Sequence, residues 1–155
     1  NMTKTKAKVT YDRNAINQLN GNDVEIHKQK KRTEGYDTVL PLYKYEHSQV
    51  AYKTSPFNTP YSGWDSGQIG WVTSNKMPEN TVSSIIKDEY TQWAQGRVYG
   101  ITVFKIEQCE QCSHEHEEPM DSIAGIYADV YDSETLKREC ERHFNTTPDE
   151  TEVEI

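Results

Sequence analysis

No stretch of this 155-residue chain approaches the roughly 18 consecutive apolar residues that a membrane-spanning helix needs. No charged start runs into an apolar segment of the kind that signals secretion. Apolar side chains are scarce, 34% of residues against 27% charged, so the core must lean on aromatics: ten Tyr, three Trp and three Phe. Cysteine is scarce as well. Three thiols, Cys109, Cys112 and Cys140, cannot all pair with one another. Without an export signal a reducing compartment is expected, hence thiols or metal ligands rather than disulfides. A phosphate loop is also missing, because the Gly-containing stretch 63–70 lacks the Lys-Ser/Thr ending that holds a nucleotide.

The length suits one domain able to fold alone. The chain opens Asn1-Met2, and Asn1 reads as a tag remnant with the native start at Met2. Net charge is -8, unevenly placed. Residues 1–35 hold eight Lys and Arg against four Asp and Glu, a net +4, which leaves -12 for 36–155. An acidic body repels phosphates, so nucleic acid is not the expected partner, whereas a basic protein surface fits. The plainer reading of the charge is solubility.

Residues 1–35 are polar and are expected to form a basic N-terminal segment outside or at the edge of the fold, with a short helix over 14–19, a turn at Asn20–Asp23 and a weak strand over 24–27. From Thr38 β-formers dominate, which predicts a strand over 38–46 with Pro41 at an edge or at its start. Further strands are predicted over 68–73, 98–106 and 123–131, with a polar hairpin-like connection over 107–119. Val82, Ile85, Ile86, Tyr90 and Trp93 recur at helical spacing and predict the main helix, 78–95, with Gly96 at its C-terminal cap. Ser133 can cap a short last helix over 134–144, with Leu136, Cys140 and Phe144 on one face. The acidic tail 145–155 is expected to fray. The fold expected is therefore α+β: one antiparallel sheet of about four strands packed on one main helix, within a single domain over 36–144.

Four blocks stand in order along the chain. The first is Leu40-Pro41-Leu42-Tyr43-Lys44-Tyr45-Glu46-His47-Ser48. The second joins Ser55-Pro56-Phe57 to Gly63-Trp64-Asp65-Ser66-Gly67-Gln68-Ile69-Gly70-Trp71. The third is Trp93-x-x-Gly96-x-Val98-Tyr99-Gly100, and the fourth Asp121-Ser122-x-x-Gly125-x-Tyr127. Over about residues 38–131 they resemble a family of uncharacterised small proteins encoded by bacteriophages and related mobile elements. The Trp-Asp-Ser-Gly-Gln block is the distinctive one. This chain departs from the family pattern by a Cys- and His-bearing insertion at 107–118, and by Ile123 where a Cys often follows Asp121-Ser122. The resemblance implies the host cytoplasm during infection and a non-enzymatic accessory role. Such a protein would bind a host protein, with inhibition of a restriction, BREX or CRISPR-type defence as one form of it. It brings no catalytic residues with it; His47, Trp64, Asp65, Ser66 and Gln68 are the motif residues that could bind a partner.

Two other classes compete with that reading. A small hydrolase would use Ser66 as nucleophile, His47 as its base and Asp65 as the carboxylate. Nothing in the spacing pairs Ser66 with a base, and the structural alternative is a turn in which Asp65 and Ser66 bond local backbone, Gly67 supplies a permissive φ and Trp64 packs over the loop. An acidic nucleic-acid mimic would array its carboxylates along one face. Asp121, Asp129, Asp132 and Glu134 lack the loop spacing of a calcium site and suit solvated strand and turn ends. The strongest chemical signal is Cys109-Glu110-Gln111-Cys112 with His114 and His116 behind it. Two thiolates three positions apart in a tight turn can grip one zinc ion. Cys140 and His143, on one face of the predicted last helix, offer a second half-site that would complete a structural centre, with His114 and His116 as alternative ligands. The bland alternatives are a polar hairpin tip and a Cys140 that is core.

Overall fold

A computed structural model describes residues 3–58 and 64–154. The α+β class holds, but the described residues form two four-stranded sheets in two compact units. The terminal unit joins residues 1–15 to 97–155, and the central unit spans 16–96. The strands expected over 38–46 and 68–73 go to one sheet, and those over 98–106 and 123–131 to the other.

In the terminal unit, β1 (Thr3–Tyr11), β6 (Tyr99–Gln108), β7 (Glu115–Ile126) and β8 (Glu150–Val153) line up as β7-β6-β1-β8. The segment expected at the periphery thus supplies an interior strand. The reason is its alternation: Ala7 and Val9 point into the core while Lys4, Lys6 and Lys8 take the opposite face. The tail expected to fray pairs in parallel with β1, bringing Glu150 opposite Lys6 and Glu152 opposite Lys8. Lys8 Nζ lies 2.6 Å from Glu117 and 3.8 Å from both Glu152 and Glu154, and Lys6 Nζ lies 3.3 Å from Glu152. Neutralised in this way, two polar termini become strands. Helix α3 (Ser133–Phe144) buries Leu136 and Cys140 against Ala7, Val9, Tyr99 and Ile101, the face its periodicity predicts. It starts one residue before the expected point, and Asn145, at φ 52°, closes it in the left-handed conformation. β7 begins well before the predicted 123 and ends at Ile126, short of the predicted 131, so the true loop of the β6–β7 hairpin is only 109–114.

In the central unit, β2 (Val24–His27), β3 (Thr38–Glu46), β4 (Val50–Lys53) and β5 (Ser66–Ser74) order as β2-β5-β3-β4. No helix forms over 14–19; a 3₁₀ turn at Asn20–Asn22 leads into β2 instead. Leu42, Val72, Val24, Val82 and Ile86 make the core, with Leu19 and Ile85 at its margin. The helix predicted over 78–95 is present over 79–94, but it is not uniform: α1 (Glu79–Ser84) passes into a π segment (Ile85–Tyr90) and then α2 (Thr91–Ala94). The wider turn moves the buried stripe from Val82 and Ile86 to Thr91 rather than to Trp93. Trp93, placed by regular spacing on the buried face, is therefore only half-buried and stacks on Tyr90 at 5.6 Å.

Candidate metal centre

β6 and β7 run antiparallel and deliver their joining loop to the end of the terminal unit's sheet. The loop closes on itself through the Cys109 N–H, which donates to the His114 carbonyl at 2.8 Å, and the Ser113 N–H, which donates to the Cys109 carbonyl at 3.0 Å. Ser113 adopts φ 60°, a turn conformation that few side chains take readily. The result folds Cys112 back over Cys109, so that the Cys112 N–H donates to Cys109 Sγ at 3.4 Å. His116 is the second residue of β7, and its Nε2 lies 3.5 Å from Cys112 Sγ.

Among the described residues, Cys109, Cys112 and His116 are the one group of three or more His, Cys, Asp or Glu side chains whose ligand atoms converge, all within 4.8 Å of one another. The donor set is two sulfurs and an imidazole nitrogen, the chemistry zinc prefers. Bonds of about 2.3 Å to sulfur and about 2.0 Å to nitrogen at a tetrahedral angle hold those atoms about 3.6 Å apart, which the Cys112–His116 separation matches. Hydrogen bonding to the Cys112 side chain and N–H, together with His116 nearby, lowers the Cys109 thiol to about 6. The turn thus favours the thiolate that a metal requires.

The second half-site does not join this group. Cys140 is fully buried in the core of the terminal unit, where loss of solvent raises its thiol to about 11, so it keeps its proton and packs as a small apolar side chain. His143 pairs with Glu139 one turn earlier on α3, at 3.0 Å. The i, i+3 spacing is sound as helix geometry, but Cys140 faces the core while His143 lies exposed beside Glu139. His114 lies outside the converging group and contributes its carbonyl to the turn. Asp121, Asp129, Asp132 and Glu134 form no such group either.

The motif residues sit in the central unit. His47 follows β3, and its Nδ1 lies 3.2 Å from Asp65 Oδ2. The Asp65 carboxylate is largely buried, and its Oδ1 has no hydrogen-bond partner. The Glu46 N–H donates to the Asp65 carbonyl at 2.7 Å, which sets the two segments side by side. Ser66 opens β5 opposite Tyr45, and Gln68 pairs with Tyr43. The block is half strand, not a turn. Gly67 sits in β5 and is not among the glycines at positive φ, and Trp64 is 94% exposed instead of packing over a loop. A feature that sequence reasoning missed is Glu25 with His27, Tyr36 and Thr73: Tyr36 Oη donates to Glu25 at 2.6 Å, and His27 Nε2 lies 2.8 Å from Thr73 Oγ1. The alternation of β2, which puts Glu25 and His27 on one face, was the available signal. No described helix is long and apolar enough to cross a membrane. No protein-family model, curated protein or solved structure matches this chain.

Proposed function

We propose that this is a non-enzymatic binding protein that carries one zinc ion at the tip of its β6–β7 hairpin, and that the metal holds the tip rigid for recognition of a partner protein. The observation that carries the reading is the convergence of Cys109, Cys112 and His116 within 4.8 Å. Loop residues 110–114 are exposed and carry no large apolar side chain, so burial cannot order them; a metal can. Three protein ligands leave a fourth position for His114, two residues before His116 in the loop, or for water. The expected partner is a host protein, in keeping with the resemblance to phage-encoded accessory proteins. A partner with a basic surface suits the 105–136 segment, which has no Lys or Arg after Lys105.

Elemental analysis of protein purified without chelators is expected to return about one zinc per chain. Cys109→Ser is expected to abolish it and to raise hydrogen exchange across 107–117 while β1 and β6 stay protected. A chain free of metal, or a Cys109→Ser variant that keeps it, would refute the site. For the recognition role, host lysate is passed over immobilised wild type and Cys109→Ser; equal capture of the same protein by both would sink it.

A second reading has one observation in its favour, the His47–Asp65 pair, since a carboxylate on Nδ1 orients an imidazole as a base. It requires Ser66 to be reactive. Failure of a serine-directed covalent probe to label Ser66 in folded protein would remove it.

A further inference from the structure

We propose that the Cys109–Cys112 turn, free of metal, performs thiol–disulfide exchange with small or peptidyl disulfides, with Cys109 as the attacking sulfur and Cys112 as the resolving one. The proposal goes beyond metal binding and does not depend on it, since it concerns the two sulfurs alone. Where zinc does bind, the two chemistries compete, because the metal occupies both thiolates and oxidation removes both.

Five features of the turn carry the assignment. Both sulfurs lie within 4.8 Å of one another and of a ring nitrogen of His116, with only two residues between the cysteines. Cys112 is exposed and Cys109 partly so, so a disulfide can approach. The Cys112 N–H donates to Cys109 Sγ at 3.4 Å and fixes that sulfur beside its partner. The closure of the loop, through the Cys109 N–H and carbonyl at 2.8 and 3.0 Å, holds that sulfur over the turn. Cys112, with its Sγ 3.5 Å from His116 Nε2, has a base within reach of its own proton. The third cysteine differs in every respect: Cys140 is buried on α3 among apolar neighbours.

The exchange balances as follows. The Cys109 sulfur attacks one sulfur of R–S–S–R; a Cys109–S–S–R bond forms, and RS⁻ leaves. The Cys112 thiol gives up its proton toward His116, attacks Cys109 Sγ and displaces the second RS⁻, which closes the Cys109–Cys112 disulfide. The protons of both protein thiols end on the two released RSH. The protein dithiol is oxidised and the substrate disulfide is reduced, with two electrons moved and no other reactant.

The test uses the full reduced chain in chelator with oxidised glutathione as the probe, quenched with a maleimide and read by mass spectrometry. The expected product has lost two hydrogens and carries no glutathione, and its one remaining thiol, the buried Cys140, takes maleimide only once the chain is unfolded after the quench. Its formation is expected to be at least about tenfold faster than in the same chain unfolded in urea, as for an accessible thiol poised beside its resolving partner. Cys112→Ser, at an exposed loop position, is expected to hold glutathione on Cys109 as a stable mixed disulfide, and Cys109→Ser to gain no adduct on that timescale. Glutathione retained on the wild type, no adduct on Cys112→Ser, or a rate equal to that of the unfolded chain would each overturn the proposal. One equivalent of zinc, added after the chelator is removed, is expected to slow the reaction. Exchange that proceeds in chelator yet ignores zinc would refute the metal reading and leave the exchange standing.

Discussion

At the scale of single residues, two cysteines of the same chain are driven in opposite directions by their surroundings. Hydrogen bonds from the turn lower Cys109 to about 6, whereas burial raises Cys140 to about 11. An acid whose value is lowered stays ionised down to that lower value, so in metal-free reduced protein Cys109 is expected to alkylate readily at neutral pH. It should slow as pH falls through about 6. Cys140 is expected to stay unmodified until the chain unfolds. Iodoacetamide labelling followed by peptide mapping between pH 5 and pH 9 checks both; fast labelling of Cys140 in the folded state would contradict its place in the core. Gly70 makes a different point. A Cβ there would stand 2.3 Å from the His27 carbonyl oxygen, so only glycine lets β2 lie this close to β5. Gly70→Ala is expected to cost about 1–3 kcal/mol, the range for forcing an extra methyl into a packed site. Urea denaturation measures it, and a change within about half a kcal/mol would mean the strands part freely.

At the scale of elements, the π segment explains why the main helix does not bury what its periodicity predicts. By bringing Thr91 onto the sheet side, it lets the hydroxyl accept the Tyr52 N–H at 2.9 Å and share its own proton between the carbonyls of Tyr52, at 3.0 Å, and Ile86, at 3.1 Å. Gln95 adds a bond from its side-chain amide to the Val50 carbonyl at 2.8 Å. β4 is an edge strand, and these side chains satisfy backbone groups that an edge leaves open. Thr91→Val keeps the shape and removes the hydroxyl, so it is expected to destabilise by about 1–3 kcal/mol through unpaired backbone groups, while Thr91→Ser keeps most of the stability. Equal unfolding midpoints for wild type and Thr91→Val would show that water already serves that edge. The hairpin that gathers Cys109, Cys112 and His116 belongs to this scale too. Its cysteine spacing was legible as a knuckle, but the choice of His116 over Cys140 and His143 needed the register of β7 and the orientation of α3.

At the scale of the whole molecule, charge is divided between the two units. The terminal unit holds nine Lys and Arg against sixteen Asp and Glu, the central unit eight against nine. Of the eight cations of the expected basic segment 1–35, Lys28, Lys30, Lys31 and Arg32 lie in the central unit, and Lys4, Lys6, Lys8 and Arg13 lie in the acidic terminal unit. There Lys6 and Lys8 draw Glu117, Glu152 and Glu154 together from β7 and from the C-terminal end of the chain. Lys8→Glu would set four carboxylates around one point, and is expected to lower the melting temperature. The loss should shrink as salt rises from ~0.05 to ~0.5 M, because screening weakens repulsion between partly exposed charges. A melting temperature unchanged by Lys8→Glu at low salt would mean that the parallel β1–β8 pairing stands without this ion cluster.

The sequence by itself determined the α+β class, the strand over 38–46, the existence and near-boundaries of both helices, the apolar face of α3 and the presence of a thiol pair suited to zinc. All of these are local: a period of two or of 3.6, a cap, or a spacing of three. What only the tertiary structure decided is non-local. Whether Lys4-Thr5-Lys6-Ala7-Lys8 is a loose arm or an interior strand depends on the glutamates that reach it from about a hundred residues or more away. The division into two sheets depends on which strands find each other, and alternation carries no record of partner. The helical register depends on a widened turn that lets Thr91 satisfy a neighbouring edge. The convergence of Cys109, Cys112 and His116 at the hairpin tip depends on β7 starting at Glu115, which turns on pairing with β6 across the loop. Hydrogen-bond partners and burial are chosen by the whole chain at once, and a side chain's chemistry becomes function only after that choice is made.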